Sequence, residues 1–197
     1  MITLGSCEPD KKQEEETVKG KPLISKVTTG GGKDEVTAIW LATPSSLGKL
    51  SLERDTHYWS NGAFNLVQLL LYVLGQIGPS HLIMSSYSFG SDAVTALKRH
   101  MDKGELLSVR FLIDNRVKSL SPKPFEQLTT SFPGAVRCTS VHAKVVCLWN
   151  DETYVSIVGS QNATNNPKLE RGTIFVNREV FDFDRQNLEI AWENGFE

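Results

Sequence analysis

Cysteine is scarce in this chain. Cys7, Cys138 and Cys147 are the whole set; they are odd in number and include no Cys-x-x-Cys pair, so neither a disulfide framework nor a zinc knuckle is indicated. A reducing, cytoplasmic setting is the simplest expectation. Long hydrophobic runs are missing as well. The longest, Leu66 to Ile77, is broken by Gln68, Gly75 and Gln76, whereas a membrane-spanning helix needs about 20 apolar residues. It reads as a buried helix, with no membrane partner. The apolar stretch before Cys7 is too short for the core of a signal peptide. Net charge is only -2, which argues against a protein that coats nucleic acid by charge alone. No internal repeat is visible.

The 197 residues, 40% hydrophobic and 22% charged, suit one domain with a core of its own. Charge is unevenly spread. Asn61 to Arg178 holds 12 Lys and Arg against 8 Asp and Glu, a balance of +4, while Glu179 to Glu197 holds six acids and only Arg185. A phosphate-facing surface is compatible with that balance, and so is an ordinary solvated face. The charge run Asp10 to Glu16 and the glycines before Lys33 mark residues 1–36 as a weakly ordered lead-in to a domain over 37–197.

Within the domain, Val36 to Leu41 reads as a strand, and Asn61 to Gln76 as a helix capped by Ser60 or Asn61. Strand and helix then alternate: His81 to Tyr87, a helix from Ser91 to Lys103, and Leu107 to Ile113. A short helix over Pro124 to Thr130 leads to strands at Ala135 to Thr139, His142 to Leu148, Tyr154 to Val158 and Thr173 to Val176. A helix over Val180 to Trp192 closes the chain. The pattern predicts an α/β/α sandwich on a mixed sheet.

One stretch of about thirty residues carries the chemistry: Val141-His-Ala-Lys-Val-Val-Cys147, Gly159-Ser-Gln-Asn-Ala-Thr164 and Lys168-Leu-Glu170. Two residues apart on a strand, His142 and Lys144 would share a face. An imidazole and an ammonium crowded together call for an anion, and phosphate fits, with neutral imidazole as nucleophile and lysine neutralising an oxygen. Ser160 and Asn162, at the end of the neighbouring hairpin strand, offer donors to the same phosphate. A nucleophilic histidine needs its second ring nitrogen held by an acceptor, the role expected of Glu170.

His-x-Lys, then Gly-Ser-x-Asn, then a glutamate resembles the phospholipase D superfamily, which includes phospholipases and single-domain nucleases. The likeness runs from about Ser80 to the C-terminus and takes in Ser85-Ser-Tyr-Ser-Phe89 and Val109 to Asp114. After four intervening residues the family motif has an aspartate, and this chain has Trp149. The resemblance implies a two-histidine, metal-independent phosphodiesterase without cofactors, working through a phosphohistidine. With one copy of the motif, it also implies a homodimer whose two His142 residues share one active site. Nucleic acid, DNA first, is the favoured substrate. A phosphate-binding module without turnover and a phospholipase are the other classes. His57, His81 and His100 are expected to be structural. Trp40, Trp149 and Trp192 are expected to pack, and His57-Tyr58-Trp59 to form a packed loop, though an aromatic pair beside a phosphate can also stack on a base.

Overall fold

The computed structural model describes residues 26–28 and 36–196. In chain order the elements are β1 (Lys26–Thr28), β2 (Val36–Trp40), β3 (Asp55–Ser60), α1 (Leu66–Ile77), β4 (Ser80–Ser86), α2 (Ser91–Asp102), β5 (Leu106–Asp114) and α3 (Val117–Leu120). There follow α4 (Pro122–Ser131), β6 (Val136–Thr139), β7 (Val145–Trp149), β8 (Tyr154–Gly159), β9 (Glu170–Phe175) and α5 (Arg178–Glu193). Of the expected lead-in, Lys26–Thr28 pairs with β2 and Val36 opens β2. The rest of it lies outside the described residues.

The strands form one mixed nine-stranded sheet in the order β1-β2-β3-β9-β8-β7-β4-β5-β6. Parallel pairs β2·β3, β4·β5 and β5·β6 flank the antiparallel hairpin run β7-β8-β9. One face carries α1, α2 and α4 over the larger core, in which α1 buries Leu66, Val67, Leu69, Leu70, Val73 and Leu74. The other carries α5 over a smaller cluster of Ile83, Leu112, Cys147, Phe181 and Leu188. This is the expected α/β/α sandwich.

Besides β9, which starts at Glu170 rather than Thr173, three features differ from the sequence reading, each for a local reason. His57-Tyr58-Trp59 is not a loop: it belongs to β3, whose alternation buries Thr56, Tyr58 and Ser60. The helix after it starts at Leu66 rather than Asn61, because Asn65 is the cap. Its side chain accepts from the Gln68 amide at 3.0 Å while Gln68 accepts from the Asn65 amide at 2.8 Å, a reciprocal capping box. Thirdly, β7 begins at Val145, so His142 and Lys144 precede the strand rather than ride on it.

The C-terminal ends of β2, β3, β4, β5, β6 and β8 and the N-terminal ends of β7 and β9 lie at one end of the sheet. Open α/β sheets commonly carry their sites at such an end. All five candidate residues lie there.

Candidate active site

His142 is exposed, whereas Lys144 is only 6% exposed. The two side chains meet. The Lys144 ammonium donates to the His142 carbonyl at 2.7 Å and lies 3.2 Å from Nδ1 and 3.4 Å from Nε2 of the ring. An ammonium offers only hydrogens, so a ring nitrogen facing it presents a lone pair. Burial pushes the lysine below its ordinary pKa, against the opposing pull of the Glu170 carboxylate.

The segment carrying the pair is pinned from β4 and β5. Ser85 Oγ donates to the Ala143 carbonyl at 3.1 Å and accepts from the Val145 amide at 3.3 Å. Asp114, 1% exposed, accepts from the Val141 amide and from Arg116 Nε at 2.7 Å. The Arg116 hydrogen bonds hold its carboxyl below the usual range. Tyr87 lies between the two groups, its ring 5.2 Å from that of His142 and 4.9 Å from the Arg116 guanidinium.

Ser160 and Glu170 meet across the ends of β8 and β9, where the serine hydroxyl donates to the glutamate carboxylate. The Arg171 amide donates to Ser160 Oγ at 3.1 Å, and the Ser160 amide to the Arg171 carbonyl at 3.0 Å. Glu170 is 7% exposed and makes no hydrogen bond to His142, contrary to the orienting role expected of it. It holds Ser160 and acts on Lys144 through its charge. Asn162 leaves a buried side-chain oxygen without a partner, an unmet need at a place where a ligand donor would be welcome.

The residue between Ser160 and Asn162 explains how the loop is held. Gln161, 2% exposed, accepts from the Tyr58 hydroxyl at 2.8 Å and donates to the Phe64 carbonyl at 3.0 Å. Burial, and behind it the Glu170 charge, push the Tyr58 phenol far up, so it stays a donor. The Leu66 amide donates to the Asn162 carbonyl at 3.0 Å, and Asn65 Nδ2 to Asn165 at 2.9 Å. Gly62, at φ 71°, brings its loop so close that a Cβ would lie 2.0 Å from the Asn166 carbonyl.

Sequence reading gave no supporting role to Gln161 or Arg116, and took Tyr58 for a loop aromatic and Asp114 for the end of a strand. Tyr58 shares its buried face of β3 with the polar Thr56 and Ser60, so no apolar period marks it in the sequence. Gln161 and Asp114 act through backbone groups of segments far apart in the chain, Phe64 and Val141, and Arg116 through the Asp114 carboxylate. The remaining histidines sit apart from the pair: His57 bonds Thr173 at 2.8 Å, His81 bonds Ser108 at 2.7 Å and stacks on Trp149, and His100 bonds Glu105. Trp149 stands five residues beyond Lys144, about 16 Å along extended chain, among His81, Phe181 and Arg185.

Compared with solved structures, the chain is similar to NucT from Helicobacter pylori, at 14% identity and a TM-score of 0.51, over 73% of this chain and 99% of that one. It is also similar to a polyphosphate kinase from Porphyromonas gingivalis, at 13% identity and a TM-score of 0.55, over 78% of this chain and 29% of the kinase. The chain has the phospholipase D fold. No family model matches the sequence, and no curated protein matches it. Within the phospholipase D fold, His-x-Lys here leads into β7 and Gly-Ser-x-Asn leaves β8, so the neighbouring hairpin strands bring the two halves of the motif together. No described helix is long and apolar enough to cross a membrane.

Proposed function

We propose that this protein is a phosphodiesterase, and specifically an endonuclease in which His142 is the nucleophile. The observation that carries the reading is the buried Lys144 ammonium 3.2 Å from a ring nitrogen of the exposed His142. A phosphate in front of the pair would meet a lone pair for attack and a cation for its developing charge. The Asn162 side-chain amide, and the Ser160 hydroxyl if it turns from Glu170, would supply further donors to that phosphate.

The chemistry needs two histidines. A neutral ring nitrogen of one His142 attacks phosphorus, forming an N–P bond as the P–O bond to the leaving group breaks. A protonated histidine on the opposite side gives its proton to that leaving oxygen. Now neutral, the second histidine takes a proton from water, whose oxygen attacks phosphorus and releases the phosphomonoester and the first histidine. The chain has one such motif, so the second histidine is assigned to His142 of the partner subunit in a two-fold dimer. His142, exposed at the end of the sheet, is accessible to that arrangement.

The test is hydrolysis of bis-p-nitrophenyl phosphate in EDTA, with His142→Ala as control. Release that depends on His142 supports the reading; equal rates from both proteins would sink it. Plasmid, single-stranded oligonucleotide and phosphatidylcholine compared in one buffer then separate nuclease from lipase.

A further inference from the structure

A row of side chains crosses β2, β3 and β9 on the sheet face that α5 leaves open. Trp40 pairs in register with Trp59, and Trp59 with Arg171, so all three project from one face of adjacent strands. Trp59 is 46% exposed, and Trp40 packs against neither core cluster. Arg171 is exposed, and its guanidinium has no hydrogen-bond or ion-pair partner among the described residues. The next register pair along β3 and β9 is Ser60 with Glu170. The row is therefore one step along β9 from the carboxylate that holds Ser160.

We propose that Trp59 and Arg171 form a nucleotide subsite for single-stranded nucleic acid, with Trp59 stacking an unpaired base and Arg171 taking the neighbouring phosphate. The proposal rests on the phosphodiesterase reading and gives it a substrate class. Strand alternation puts Glu170 and Arg171 on opposite faces of β9. A polymer leaving the phosphate site must turn over the end of that strand to reach Trp59. A single strand makes such a turn within a nucleotide or two, whereas a duplex stays straight over about 150 base pairs. A flat exposed ring also needs a base with a free π-face, which paired and stacked bases do not offer. Arginine beside tryptophan supplies the electrostatic partner that follows the backbone.

Fluorescence anisotropy tests this on the full chain carrying His142→Ala, which removes cleavage from the readout. The probes are labelled oligothymidylate, an oligomer of equal length made of abasic sugar phosphate, oligouridylate and a duplex. Oligothymidylate should bind at least about tenfold more tightly than the abasic oligomer, the order expected of one stacked base. Trp59→Ala should erase that difference, and Trp59→Phe should restore most of it. Arg171→Ala should weaken both oligomers alike and lower the salt dependence by about one charge. Equal affinity for duplex and single strand, unchanged binding in Trp59→Ala, or equal loss on the abasic oligomer would each overturn the proposal. Oligouridylate shows whether RNA and DNA share the subsite. The bis-p-nitrophenyl phosphate assay contains no polymer, so failure of the catalytic reading registers there and failure of the subsite registers in the anisotropy.

Discussion

Lys144 is the residue at which chemistry and stability pull apart. Burial lowers its pKa in the folded chain, so at every pH beneath that folded value the protein bears the cost of keeping a charged amine out of water. The cost fades as pH rises from the folded value towards the ordinary lysine range. Lys144→Met should therefore abolish hydrolysis yet raise Tm near neutral pH by about 2–4 °C, the response of a chain this size to about 1 kcal/mol. The gain should shrink as scans are taken at pH values rising towards the ordinary lysine range. A Tm that falls, or a gain independent of pH, would contradict the burial argument. Gly172 makes the opposite case, since a Cβ there would lie 2.4 Å from the Tyr58 hydroxyl and 2.5 Å from its ring carbon. Gly172→Ala should lower the denaturation free energy by about 1–3 kcal/mol through overpacking. Displacing Tyr58 also frees Gln161, so activity per folded molecule should fall with it. Candidate residues His142, Lys144, Ser160, Asn162 and Glu170 were legible because one short stretch holds all five. Glu170's contact with Ser160 was not, because which donor a carboxylate meets depends on where β9 starts.

Elements read well where hydrophobic period and caps agreed. The helices at 91–102 and 178–193 and the strands at 80–86, 106–114 and 154–159 fall within two residues of expectation. β3 was illegible as a strand because its outward residues, Asp55, His57 and Trp59, face no helix and so include polar types where a doubly covered strand would be apolar. At the far end of β7 from His142 and Lys144, Trp149 stands where the motif has an aspartate. Its ring belongs to the layer under α5, 5.4 Å from His81, 6.1 Å from Phe181 and 5.0 Å from the Arg185 guanidinium. Restoring the motif by Trp149→Asp should cost about 2–4 kcal/mol in lost packing. It should leave the rate of bis-p-nitrophenyl phosphate hydrolysis per folded molecule unchanged. A faster enzyme would mean that the strand's far end communicates with His142. Asp184 on α5 itself accepts from Ser156, and burial raises its carboxyl pKa. Stability from a raised carboxyl is greatest below the ordinary aspartate range and is lost as pH climbs through the folded value. Asp184→Asn should accordingly stabilise the protein at pH 7 and leave it unchanged at pH 3, which paired thermal melts can read.

At the scale of the whole molecule, one motif per chain and the proposed two-histidine reaction make subunit composition the decisive variable. If the reaction uses both His142 residues of a dimer, a mixed dimer with one His142→Ala subunit has lost either its nucleophile or its acid in each half-reaction. Random exchange between equal amounts of native and His142→Ala protein yields about one quarter native dimers, one half mixed and one quarter doubly substituted. A shared site then retains about a quarter of the activity of an all-native sample at the same total concentration; independent subunits retain about half. Differently tagged subunits purified as the mixed dimer sharpen the contrast, since a shared site predicts almost no turnover from that species while independent sites predict half. Light scattering must show a dimer at the assay concentration. A fully active monomer would remove the second histidine from the mechanism and require another proton donor, for which no other histidine stands beside the pair: His57, His81 and His100 are engaged by Thr173, Ser108 and Glu105.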